Sequence, residues 1–274
     1  MPPIPLEDLY NDVLSKAAQG LKLKPADLAS RANLEAPAVQ QVLKGDFDEA
    51  TVRQLAPLLD LGPEQLVALA KDAYYPDATA PDGMLGFNTP YEDFFVNAYL
   101  LWDAETKQAV VFDTGSDPGV ILDAVRERGL KVELMLMTHS HRDHVMGLDV
   151  LLKETGAPAY ISGKEALPGA KALEEGKTFQ VGKLTIKPLS TWGHSAGGTS
   201  YLVTGLAVPV VVVGDALFAA SMGRGNVSYP DALANNRREI FSLPDETVVA
   251  PGHGPLTTVG LEKRNNPFYP EFAR

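Results

Sequence analysis

The chain contains no cysteine in 274 residues. That excludes a disulfide framework and any thiolate metal site. No apolar run approaches the roughly 20 residues needed to cross a bilayer, and LAVPVVVV at 206–213 is a buried-strand signal instead. The opening MPPIPLEDLY has neither a basic n-region nor an apolar h-region, so no signal peptide is read and the expected location is the cytoplasm, with no membrane partner. Basic residues are also scarce: 24 Lys and Arg stand against 35 Asp and Glu, a formal net charge of −11. A nucleic acid needs a basic face, so the balance disfavours DNA or RNA as a partner. Histidine is rarest of the reactive residues present, with five copies.

What is present divides into two patterns. Residues 6–75 carry apolar positions at helical spacing, as in Leu6, Leu9, Tyr10, Val13, Leu14 and Ala17. Pro25, Pro37 and Pro63 stand near first turns, and Gly20, Gly45 and Gly62 stand at ends. About five short helices are expected, forming a small all-α domain over 1–76. YYPDATAPDGMLGFNTP (74–90) mixes Pro, Gly, Asp and Thr without period, so 77–90 reads as a linker. Over 91–274, strand-like FFVNAYLLWD, KQAVVFDTG, VELMLMTH, APAYISG, TSYLVTG and VPVVVVGD mix with amphipathic PGVILDAVRERGL and VMGLDVLLKETG. Paired strands combined with strand–helix alternation predict an α+β fold, an αββα sandwich.

Three of the five histidines fall in THSHRDHVMG (138–147). His139, His141, Asp143 and His144 follow an apolar strand, and imidazole and carboxylate suit Zn²⁺, Fe²⁺ or Mn²⁺. Four candidate ligands in six positions exceed what one four-coordinate ion takes from so short a loop, which points to two ions. His194 in TWGHSAGG, Asp215 in VVVVGDALF and His253 in VVAPGHGPLT also lie just past strands, as does Asp113 in VVFDTGSDPG. Taken singly, each is more often a packed histidine, a cap or an Asx turn. Taken together, with every histidine in a strand-end loop, they read as one metal centre on one sheet edge.

The order H-x-H-x-D-H, Gly-His, Gly-Asp, Gly-His resembles the metallo-β-lactamase-fold hydrolase superfamily over roughly 85–274. The resemblance implies one ion on His139, His141 and His194, a second on Asp143, His144 and His253, and Asp215 bridging both. Asp113 would orient ligands. GDALFAASMGR (214–224) and PGHGPLTTVGLEKRNNPF (251–268) look like the short bacterial glyoxalase II-like group, the hydroxyacylglutathione hydrolases. Arg224 matches that group's Gly-Arg pair, facing the anionic part of the substrate or pairing with an acidic neighbour.

The implied function is a binuclear hydrolase of a small-molecule thioester or ester, acting through a metal-bridging hydroxide that Asp143 orients. Its cofactors would be two divalent ions, Zn first, with Fe or Mn as alternatives. Rival readings are a mononuclear iron persulfide dioxygenase, a lactonase of the same fold, and a non-enzymatic regulator.

PADLASRANL and APAVQQVLKG are similar to the helix-turn-helix of phage-repressor-like regulators. The second of these helices offers only Gln40, Gln41 and Lys44, and residues 1–80 hold 7 basic against 12 acidic residues. The expected role is therefore contact with protein, a homo-oligomer through this domain, or a lid over the site.

Overall fold

In a computed structural model, which describes residues 3–174 and 176–273, the strands stack as two six-stranded sheets. The first holds, in chain order, β1 (Met84–Tyr91), β2 (Phe94–Trp102), β3 (Gln108–Phe112), β4 (Lys131–Leu136), β5 (Ala159–Ser162) and β6 (Ala170–Leu173). The second holds β7 (Phe179–Val181), β8 (Leu184–Ser190), β9 (Thr199–Thr204), β10 (Val210–Gly214), β11 (Val248–Pro251) and β12 (Thr257–Thr258). β3, β4 and β5 run parallel, so helices α6 (Pro118–Arg128) and α8 (Leu148–Thr155), the latter preceded by the single turn α7 (Arg142–Val145), cross between them. The start of α6 is local chemistry: Asp117 accepts from the Gly119 N–H at 2.9 Å and Pro118 opens the first turn.

Strand alternation builds the layers. Val110 and Phe112 face Tyr201, Val210 and Val212 between the sheets, whereas Ala109 and Val111 turn outward to Ile121 and Leu151 of α6 and α8. On the second sheet Val211 and Val213 turn the other way, toward α9 (Tyr229–Glu239). This is the expected αββα sandwich.

Residues 10–70 form α1 (Tyr10–Gly20), α2 (Pro25–Ala32), α3 (Ala36–Leu43), α4 (Glu49–Leu55), a 3₁₀ turn (Ala56–Leu59) and α5 (Pro63–Ala70). Pro25 and Pro63 open their helices and Pro37 is second in its own. Gly62 caps the start of α5 instead of ending a helix. The apolar faces of these helices, including Val13, Leu14, Leu55 and Leu66, share one core with Val211, Leu217, Val249 and Phe268. Backbone bonds join the parts too, with Gly62 N–H donating to the Pro267 carbonyl at 2.8 Å. The helical segment is thus laid on the outer side of the second sheet.

One detail differs from the sequence pattern. Residues 84–90, expected within a linker, form most of β1, which pairs along β2 from Met84↔Leu101 to Tyr91↔Phe94. β1 is an edge strand, so Pro90 forfeits no essential ladder bond. Gly86 lies against Tyr99, whose ring carbon Cε1 would stand 3.1 Å from a Cβ at that position. The C-terminal stretch is a clamp. Glu262 in α10 (Val259–Asn265) is buried and accepts from Thr257 Oγ1 at 2.7 Å, Asn266 Nδ2 at 2.7 Å and the Ala220 N–H at 3.0 Å. Burial outweighs these donors and pushes its carboxyl up to about 7.

Candidate metal centre

The strands bring the candidate residues to one edge. Asp113 follows β3, residues 138–144 follow β4, Asp215 follows β10, and His253 follows β11. β3 with β4 and β10 with β11 are parallel pairs, so their C-terminal ends share a side. His194 lies four residues past β8 on the same edge. All seven residues expected as ligands meet there, in two clusters.

In the first cluster His139 Nε2 and His194 Nε2 each lie 3.0 Å from His141 Nδ1. Asp215 Oδ2 is 3.3 Å from His194 Nε2 and 4.0 Å from His139 Nε2. In the second, Asp143 Oδ2 is 3.4 Å from both His144 Nε2 and His253 Nε2. Asp215 Oδ1 is 3.3 Å from His144 Nε2 and 3.5 Å from His253 Nε2. One carboxylate thus faces each cluster with a different oxygen.

Hydrogen bonds behind the imidazoles fix their tautomers. His194 Nδ1 donates to the Arg224 carbonyl at 2.9 Å, and His253 Nδ1 to the Phe95 carbonyl at 2.6 Å. His144 Nδ1 donates to Asp113 Oδ2 at 2.9 Å. Asp113 also accepts from the Thr138 N–H at 2.7 Å and from the Thr138 hydroxyl at 2.8 Å. With its one proton so placed, Thr138 Oγ1 accepts from His139 Nδ1 at 3.0 Å. Each of these four rings then points an Nε2 lone pair inward, with its N–H engaged behind, the pattern that orients metal-bound imidazole.

Such a convergence of acceptors needs a cation. His144 Nε2 and Asp215 Oδ1 are buried and have no hydrogen-bond partner among the described residues. Burial holds His139 well below the usual imidazole range and also lowers His194, so both favour the neutral, ligating form. Burial also opposes charge on His253 and His144, but Asp215, with Asp143 beside one and Asp113 beside the other, outweighs it and pushes them up to about 11 and about 10. The second cluster therefore demands positive charge at its Nε2 atoms, which a divalent ion supplies as a proton would. The donor set, imidazole and carboxylate without thiolate, fits two such ions. Room is held by Gly252, where a Cβ would stand 2.3 Å from Asp215 Oδ1 and 2.7 Å from His144 Cε1.

Several residues of the site carry no signal in the sequence. Glu165 is buried and ties the two histidine loops together: Oε1 accepts from Gly197 N–H at 2.8 Å, and Oε2 from Ser140 N–H at 3.2 Å and from the Ser140 hydroxyl. Burial opposes its charge, yet these donors hold its carboxyl below the usual range. The cavity over the clusters, about 450 Å³, is walled partly by Glu7, Asp8 and Lys16 of the N-terminal segment. Phe94 and Phe218 stand edge-on to His253, with ring centroids 5.5 and 5.6 Å away. Arg224 is on the rim. Its guanidinium donates to Gln19 Oε1 at 3.3 Å and pairs with no carboxylate among the described residues, which removes the acidic-neighbour alternative there.

The Metallo-beta-lactamase superfamily matches residues 91–253. The chain is 29% identical over 201 residues to the "Probable metallo-hydrolase YqgX" of Bacillus subtilis (strain 168), covering 65% of this chain and 93% of that one. It is 32% identical over 156 residues to the "Hydroxyacylglutathione hydrolase" of Pseudomonas entomophila (strain L48), covering 57% of this chain and 60% of that protein. Among solved structures it is similar to BLEG-1, described as a B3 metallo-beta-lactamase, at 30% identity and TM-score 0.60, covering 68% of this chain and 99% of that one. ETHE1 from Myxococcus xanthus is equally similar, at 30% identity and TM-score 0.60, covering 68% and 85%.

Proposed function

The chain belongs to the metallo-beta-lactamase superfamily and is a metal-dependent hydrolase of that fold, and within it we propose a binuclear enzyme acting on thioesters such as hydroxyacylglutathione. The observation that carries the binuclear part is Asp215, one oxygen facing each cluster at 3.3 Å from the nearest Nε2. The thioester part rests on the GDALFAASMGR and TTVGLEK…NPF stretches and on the likeness to the Pseudomonas entomophila hydrolase.

His139, His141 and His194 would hold one ion, Asp143, His144 and His253 the other, and Asp215 both. Zn²⁺ is the first candidate, with Fe²⁺ or Mn²⁺ next. When bound, the pair would supply a hydroxide at neutral pH and polarise the substrate carbonyl. The rest is the chain's own work. Asp113 holds His144 directly and His139 through Thr138, so it sets the aim of one ligand in each cluster. Asp143, 3.4 Å from both His253 and His144, would orient the attacking oxygen. Phe94 and Phe218 pack edge-on against the His253 ring and support its orientation. Arg224, with no carboxylate partner among the described residues, would meet an anionic substrate group. No strong general acid is required, because a thiolate with pKa near 8.5 leaves readily.

A mononuclear iron oxygenase would use two histidines and one aspartate. It would leave four converging ligands without a task, which favours the hydrolase. The test is hydrolysis of S-lactoylglutathione by metal-replete and chelator-treated protein. Turnover that is lost with the chelator and restored by divalent metal is expected. A replete protein that hydrolyses lactones or β-lactams but not this thioester would contradict the substrate class.

A further inference from the structure

Beside the metal cavity lies a second one of about 480 Å³, between the end of α1 and the loop that leads from Arg224 into α9. The two share Lys16, Arg224 and Asn226, so they form one continuous cleft. Their chemistry differs. The metal end is lined by five carboxylates, Glu7, Asp8, Asp93, Asp143 and Asp215. The far end is lined by none, although the chain carries a net charge of −11. It presents Lys16, Lys22 and Arg224 with the polar side chains of Gln19, Asn226 and Ser228.

The three cations are not equivalent. Lys16 is buried, bonded to Asp8 and to the Met222 carbonyl at 2.9 Å, so its charge is already answered and it serves to hold the segment down. Lys22 and Arg224 are exposed and have no carboxylate partner among the described residues. Lys22 also takes φ +57°, a conformation that favours glycine, and its N–H donates to the Gln19 carbonyl at 3.0 Å.

We propose that this groove binds the carboxylate-bearing thiol half of the substrate, so that α1 and Lys22 of the helical segment set selectivity for thioesters of anionic thiols. The inference rests on the thioester reading. The acyl carbonyl would lie at the metal end, and the thiol moiety would run along the cleft past Arg224 to Lys22. Acidic walls at one end and cationic walls at the other orient an anionic substrate in one direction only.

The test uses a probe that cannot be hydrolysed: the thioether S-hexylglutathione and its dicarboxamide, titrated calorimetrically into the full, metal-replete chain at low salt. The dicarboxylate is expected to bind about tenfold more tightly than the diamide, the scale of one charged hydrogen bond. Lys22→Gln should shrink that ratio to about twofold, while Lys24→Gln, a change of the same charge outside the groove, should leave it. Equal binding of the two thioethers by the parent protein, or an unchanged ratio in Lys22→Gln, overturns the proposal. S-lactoylglutathione turnover is followed in parallel. Turnover without carboxylate preference sinks the groove and keeps the hydrolase. Preference without turnover sinks the thioester reading and supports the groove as an anion site.

Discussion

Asp215 has no neutral substitute that keeps both of its faces. Asp215→Asn replaces one acceptor oxygen with an N–H donor, which opposes an inward lone pair in whichever cluster it faces. Metal per chain should fall to one or below and kcat/KM by at least about 100-fold, the scale of a lost electrostatic catalyst. Asp113→Asn is a softer change that leaves every ligand in place. Metal affinity should weaken by about 10- to 100-fold, with circular dichroism unchanged, because the amide cannot accept from Thr138 and His144 as the carboxylate does. Unchanged affinity would remove Asp113 from its positioning role. The seven candidate ligands were legible because each sits in a short motif just past a strand. Thr138 and Glu165 were not. Their roles consist of hydrogen bonds to residues 25 or more positions away, or to a ring whose tautomer only the fold determines.

Loops set the precision at the next scale. The segment 138–144 and the segment 194–198 are held in register by Glu165. Glu165→Gln should therefore lower metal affinity by about tenfold, the lower end for groups that support ligands, although it touches no ligand atom. The clamp at the C-terminal stretch acts on stability. Glu262 is held in the folded state with its carboxyl near 7, against about 4.3 in a free chain. Between those values the folded protein binds more protons than the unfolded one, so this group's contribution falls as pH rises through that window and is flat above it. The difference in thermal midpoint between the parent and Glu262→Gln should thus change between pH 5 and pH 8, with the parent losing more. A difference independent of pH would refute the assignment. Sequence periodicity found most strands and both crossover helices, but it took the greater part of β1 for linker. Gly86, Asn88 and Pro90 mask the alternation, and only the edge position in the sheet makes them harmless.

At the scale of the whole molecule, the helical segment and the catalytic sandwich share a core. Lys16 and Asp8 form a buried ion pair at their junction, with Ser221 donating to Asp8 at 2.6 Å. Removing one partner leaves a buried charge without an answer, so Asp8→Ala should cost about 3 kcal/mol in denaturant unfolding. It should also raise KM, because the wall of the cleft loosens. A variant as stable as its parent would mean that the segment is anchored by apolar packing alone. The segment's sequence is compatible both with partner contact and with a lid. Its amphipathic helices do not reveal which surface covers their apolar faces, and here that surface is the second sheet of the same chain. Two ions bridged by Asp215 are the central proposal for this chain. The most direct measurement is metal content by mass spectrometry on protein purified without added chelator, divided by chain concentration. Two divalent ions per chain, falling to one or none in Asp215→Asn, is the predicted result. A single tightly held ion in the parent protein would contradict it.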